Sequence, residues 1–108
     1  MKTSQNIKII VYVPATHAEA VRQAMGDAGA GKVGNYTHCS FSSKGTGRFL
    51  PMEGAHPAIV KGGTMESVEE EKIEMICDAN IVEKVISAMK GVHPYEEVAF
   101  EICSLLEI

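Results

Sequence analysis

Apolar positions change period several times along the chain, and each change marks an element. Ile7-Lys8-Ile9-Ile10-Val11-Tyr12-Val13 is a short β-branched run stopped by Pro14, the pattern of a largely buried strand. From Ala18 the apolar residues recur at helical spacing, placing Ala18, Val21, Met25 and Ala28 on one face. Thr16-His17-Ala18-Glu19 reads as a capping box that opens this helix, and Gly26, Gly29, Gly31 and Gly34 dissolve it into a loop. Asn35 to Phe41 reads as a second extended segment. A turn around Gly45-Thr46-Gly47 and a return through Arg48-Phe49-Leu50 then make a hairpin-bearing arm.

Met52 to Thr64 has no period, and its glycines and small residues predict a loop. Alternation returns from Ser67 to Cys77, where Ile73, Met75 and Cys77 share one face against Lys72 and Glu74, as in a half-exposed strand. Asp78 or Asn80 caps a second helix with Val82, Val85, Ile86 and Met89 as its buried stripe, Lys90 in the last turn and Gly91 at its end. Glu97 to Leu105 is the last strand, with Val98, Phe100 and Ile102 alternating against Ala99, Glu101 and Cys103. The order is βαββαβ. It predicts an α+β, ferredoxin-like sandwich with both helices on one face of an antiparallel sheet. With 108 residues and no linker-like composition, a single domain over residues 1–108 is expected.

Composition narrows the partners. Hydrophobic residues make up 45% and charged residues 22%, as in ordinary soluble domains, and no apolar run approaches the roughly 18 residues of a membrane span. No membrane is therefore expected among the partners. A net charge of -4, with Glu66, Glu69, Glu70, Glu71 and Glu74 clustered, leaves no basic stripe for phosphates and argues against nucleic acid. Cys39, Cys77 and Cys103 are odd in number and lack CxxC spacing, which argues against a disulfide framework or a zinc ribbon and predicts a reducing, cytoplasmic location. The polar N-terminus and seven-residue apolar run do not make a signal peptide.

The candidate chemistry is concentrated in His93-Pro94-Tyr95-Glu96-Glu97, between the second helix and the last strand. Imidazole and carboxylate are both metal ligands and proton carriers. Proline, phenol and solvated glutamates also make an ordinary structural turn, so residue types leave both readings open. A metal site would have to gather His38 or Cys39, His56, His93 and Glu96 or Glu97 from separate segments. In a regular strand, adjacent His38 and Cys39 would face opposite ways, so only one could join. Gly26 to Lys32 matches GxxxxGK, but Val33 replaces the required Ser or Thr and the motif follows a helix, so it is read as a helix-exit loop. Ser43 to Arg48 could hold an anion through amides and basic side chains, although its glycines favour a hairpin turn.

Several separated motifs, in order, carry a family resemblance. Gly34 to Phe41, Gly45 to Phe49, Pro51, Glu53-Gly54-Ala55, Val68-Glu69-Glu70 with Ile73-Glu74, and His93 to Ala99 closely resemble the inserted domain of the YqfO (Nif-three-like) family. The resemblance runs from Ile7 to Leu105, departing at His56 and at Val60-Lys61. The insert is itself similar to the CutA and PII signal-protein fold, a ferredoxin-like sandwich that usually forms trimers, and CutA proteins carry a similar His-Pro-Tyr-Glu segment. The larger family domain, with its dinuclear site of His and Glu, has no counterpart here, so the chain looks like a free-standing copy of the insert.

The resemblance implies a non-enzymatic, sensory or regulatory homo-oligomer, a trimer in preference to a dimer, that binds a small ligand or a divalent metal such as copper or zinc. Its expected metal ligands are His93, Glu96, His38 and Cys39, and its expected ligand contacts are Tyr95, Glu97 and Arg48. Two alternatives stand beside it. One is a purely structural assembly or protein-interaction module, and the other is a hydrolase-like enzyme using His93 as base.

Overall fold

Buried β-branched residues set the centre of the structure: Ile9, Val11 and Val13 of β1 (Lys2–Pro14) are fully buried. The computed structural model describes residues 1–54 and 64–108. β1 leads through a short 3-10 turn into α1 (Ala18–Asp27), followed by β2 (Phe41–Phe49) and β3 (Glu66–Asp78). A second 3-10 turn leads into α2 (Val82–Val92), and β4 (Phe100–Glu107) follows. The predicted βαββαβ order is observed. The sheet order is β2-β3-β1-β4, and every neighbouring pair is antiparallel.

Register assigns the two faces. Ile9 lies opposite Met75 and Val11 opposite Ile73, and these side chains meet Val21 and Met25 of α1 and Val85 and Met89 of α2 in one core. The predicted helix stripes are the ones buried, although Val82 and Ile86 are only partly covered. Among the described residues the other face carries no helix, and it presents cross-strand polar pairs. Lys8 reaches Glu74 at 3.3 Å, and the Tyr12 hydroxyl donates to Glu101 at 3.2 Å.

β3 and β2 continue past the end of β1. β1 pairs β3 only as far as Pro14 opposite Glu70, whereas β2 follows β3 out to Phe49 opposite Glu66. At the opposite end, β1 and β4 continue together to Lys2 opposite Glu107. These two ribbons lengthen the molecule to 47 Å and raise the radius of gyration to 15.0 Å, above the ~13 Å expected of a compact chain this size.

Three local expectations need correction. The turn placed at Gly45-Thr46-Gly47 is continuous strand, because β3 supplies a full antiparallel partner along Phe41–Phe49; the arm is the β2–β3 ladder itself. Asn35 to Ser40 is irregular, held by a bridge between Val33 and Tyr36 and by His38 at φ 59°. Thr16 does not cap α1: its hydroxyl contacts His17 Nδ1, the helix entry has no side-chain cap, and Glu19 pairs with Arg22 instead. Asp78 does act as a cap, accepting from the Asn80 amide at the turn before α2. Most of the loop predicted at Met52 to Thr64, including His56, lies outside the described residues.

Candidate functional site

The turn after α2 is held by its own imidazole. Pro94 prevents the helix from continuing, and His93 leaves it in an extended conformation at φ -78° and ψ 136°. His93 is 8% exposed, and its Nε2 donates to the Tyr12 carbonyl at 2.8 Å. Its Nδ1 accepts from the Tyr95 amide at 3.1 Å. A donor at Nε2 and an acceptor at Nδ1 define one neutral tautomer, assigned from the hydrogen-bond pattern. Burial pushes the imidazole below its ordinary range, partly offset by the Tyr12 carbonyl and the Glu70 charge.

Tyr95 carries the turn across to the arm. Its hydroxyl donates to Glu70 Oε2 at 3.0 Å, and its ring meets Phe49 edge-on at 5.7 Å. Burial, and then the Glu70 carboxylate, push its phenol well up, so the hydroxyl stays a donor at neutral pH. The Glu70 carboxylate lies over Gly47, where a Cβ would fall 2.2 Å from Oε1. A side chain at position 47 would therefore have to displace the Glu70 carboxylate from its place.

The remaining candidate residues are divided between places. Glu96 and Glu97 are exposed in the turn. Arg48 is exposed and, by strand alternation, faces away from the side of β2 that carries Gly47 and Phe49. His38 and Cys39 sit near the other end of the core. The Gly31 amide donates to Ile76, opposite Lys8, and the Cys39 amide donates to Gly31 at 2.9 Å. Lys8 and Tyr12 are four residues apart on β1, about 13 Å along the strand. The structure thus does not bring His38 or Cys39 together with His93 within one chain. His38 Nε2 instead meets Asp27 Oδ1 at 2.9 Å. Among the described residues, no three His, Cys, Asp or Glu side chains gather as a metal-binding group. Sequence reasoning missed Glu70, Phe49 and Gly47 as members of the Tyr95 site, because reading Gly45 to Gly47 as a turn hid both the alternation of Gly47 and Phe49 on β2 and the ladder that sets β2 beside Glu70 on β3.

No protein-family model matches the chain. The fold is that of the CutA/PII-like modules. The periplasmic divalent cation tolerance protein CutA of Archaeoglobus fulgidus superposes with a TM-score of 0.63 at 15% identity, over 94% of this chain and 83% of that one. In sequence, the chain is homologous to one segment of the NIF3-related (YqfO) proteins. The GTP cyclohydrolase 1 type 2 homolog of Halalkalibacterium halodurans is 50% identical over 103 residues, 95% of this chain and 28% of that protein. A Bacillus cereus protein related to NIF3 superposes with a TM-score of 0.82 at 51% identity, over 97% of this chain and 27% of that chain. The chain therefore spans about a quarter of the length of these relatives. No helix among the described residues is long and apolar enough to cross a membrane.

Proposed function

We propose that this chain is a non-enzymatic, cytoplasmic, self-associating module of the CutA/PII-like kind, with a regulatory ligand site where the Tyr95 turn meets the root of the β2–β3 arm. The observation that carries it is the convergence of Tyr95, Glu70 and Phe49 from three separate segments. Self-association is supported by a sheet face that no helix among the described residues covers, by two edge strands, β2 and β4, and by exposed Phe41, Ile102 and Leu106. Three copies are favoured over two, in keeping with the resemblance to CutA and PII folds. Sedimentation velocity across a concentration series should give a trimer, and a persistent monomer would defeat this part of the proposal.

The ligand is a small molecule contacting Tyr95 and Glu97, with Arg48 reaching it from another subunit because it faces away from Tyr95 within one chain, or a divalent cation such as copper or zinc. The cation version needs His93 to exchange one of its two hydrogen bonds for the ion and Glu96 to join it, with His38 or Cys39 coming from another subunit. Calorimetric titration of copper and zinc into wild type and His93→Ala tests it; equal, weak uptake by both would eliminate the cation. One observation favours a second reading, a purely structural assembly module: both His93 nitrogens are already engaged in holding the turn. Loss of assembly in Tyr95→Ala and Glu97→Ala, with no ligand taken up by wild type, would favour that reading.

A further inference from the structure

We infer that Tyr95 is a positioning residue that latches the β2–β3 arm to the end of α2, so that the turn after α2 sets the arm's geometry. Beyond Glu70, β3 has lost its β1 neighbour, and the arm is a two-stranded ribbon. Such a ribbon is marginally stable in water, so a contact from outside that holds both of its strands directs it. Here the grip comes from outside the ribbon. The Tyr95 hydroxyl holds Glu70 on β3, and the Tyr95 ring abuts Phe49 on β2, so one side chain ties both strands.

The other end of the latch is firm. The Tyr95 amide is bonded to His93 Nδ1, and the same imidazole is bonded through Nε2 to the Tyr12 carbonyl on the central strand. Few soft torsions therefore separate the core of the sheet from the phenol. Gly47 completes the device, because the space where its Cβ would stand is filled by the Glu70 carboxylate that receives the hydroxyl. A group that competes for Glu70, or that pulls Tyr95 aside, frees the arm without disturbing the core. This inference goes beyond the ligand-site proposal and holds whether or not a ligand is taken up.

Amide hydrogen exchange on the full chain, followed residue by residue, tests it with Tyr95→Phe, which keeps the ring and removes only the hydroxyl. Amides of residues 44–49 and 66–70 should exchange roughly ten to a hundred times faster, the loss expected for one hydrogen bond to a charged group, while those of Ile9 to Val13 and Ile73 to Cys77 keep their rates. Gly47→Ala, which displaces the Glu70 carboxylate, should give the same local pattern. Glu70→Gln, which retains an acceptor oxygen, should restore much of the protection lost in Glu70→Ala. Unchanged arm exchange in Tyr95→Phe would overturn the latch, and so would an equal acceleration of arm and core.

Discussion

His93 and Tyr12, 81 positions apart, are joined by a 2.8 Å hydrogen bond from an imidazole nitrogen to a backbone carbonyl. The bond anchors the turn after the second helix to the central strand and leaves the other nitrogen to receive the Tyr95 amide. Burial disfavours the charged ring, and protonation would also place a second N–H against that amide donor, so the folded state favours the neutral ring. The lowered folded pKa makes the unfolded chain bind the proton more readily. Stability from this group is therefore flat above the ordinary histidine value of about 6.5 and falls as the pH drops below it. Urea melts of wild type and His93→Gln between pH 8 and 5 should show the wild type losing more stability over that interval. At pH 8 the substitution should cost about 1–3 kcal/mol through lost or misaligned bonds.

Gly31 sits at φ 82°, and a Cβ there would fall 2.5 Å from the Cys39 carbonyl oxygen. Its own amide and carbonyl bond to Ile76 and Cys39, tying the loop to β3. Both the positive φ and the backbone neighbour oppose any side chain. Gly31→Ala should destabilise by about 2 kcal/mol or more, read as a lower urea midpoint at an unchanged m-value.

Arg22 joins α1 to two strands. Its guanidinium pairs with Glu71 on β3, donates to Ser42 on β2 at 3.1 Å, and also meets Glu19. The Glu71 carboxylate is the partly buried one, at 15% exposure against 82% for Glu19, so the bond to β3 carries most of the energy. Thermal melts should show Arg22→Ala costing about 2 kcal/mol and Glu19→Ala under 1 kcal/mol.

Asp27 is held below the usual carboxylate range mainly by its hydrogen bond to His38, with Gln23 adding a second. The His38 ring lies against Gly26, where a Cβ would come within 2.1 Å of the ring carbon Cδ2. Gly26→Ala must therefore push the ring aside. Carboxyl-detected NMR titration should find the Asp27 pKa raised toward its ordinary value in both Gly26→Ala and His38→Ala, and raised less in Gln23→Ala.

Much of the fold was legible because the helix and strand periods are clean where the core forms. Ile73, Met75 and Cys77 alternate in sequence and are buried in the structure, and Ala18, Val21 and Met25 do the same at helical spacing. Reading failed where a local signal competed with a distant partner. Gly45 and Gly47 look like turn residues over a short window, but nine residues of β3 pair with this segment and keep it extended. Thr16 and Glu19 fit a capping box, yet Pro14 and the following 3-10 turn start α1 later, and Glu19 turns to Arg22.

The sequence by itself determined the element order, the two buried faces and the place of His93 to Glu97 between the second helix and the last strand, because periodicity and helix ends are local properties. Only the tertiary structure decided how that pentapeptide is used. It engaged both His93 nitrogens, set Tyr95 against Glu70 and Phe49, and left His38 and Cys39 near the far end of the core. Those relationships follow from antiparallel register and from where β1 stops short of β3, which are fixed by pairings between segments distant in the chain.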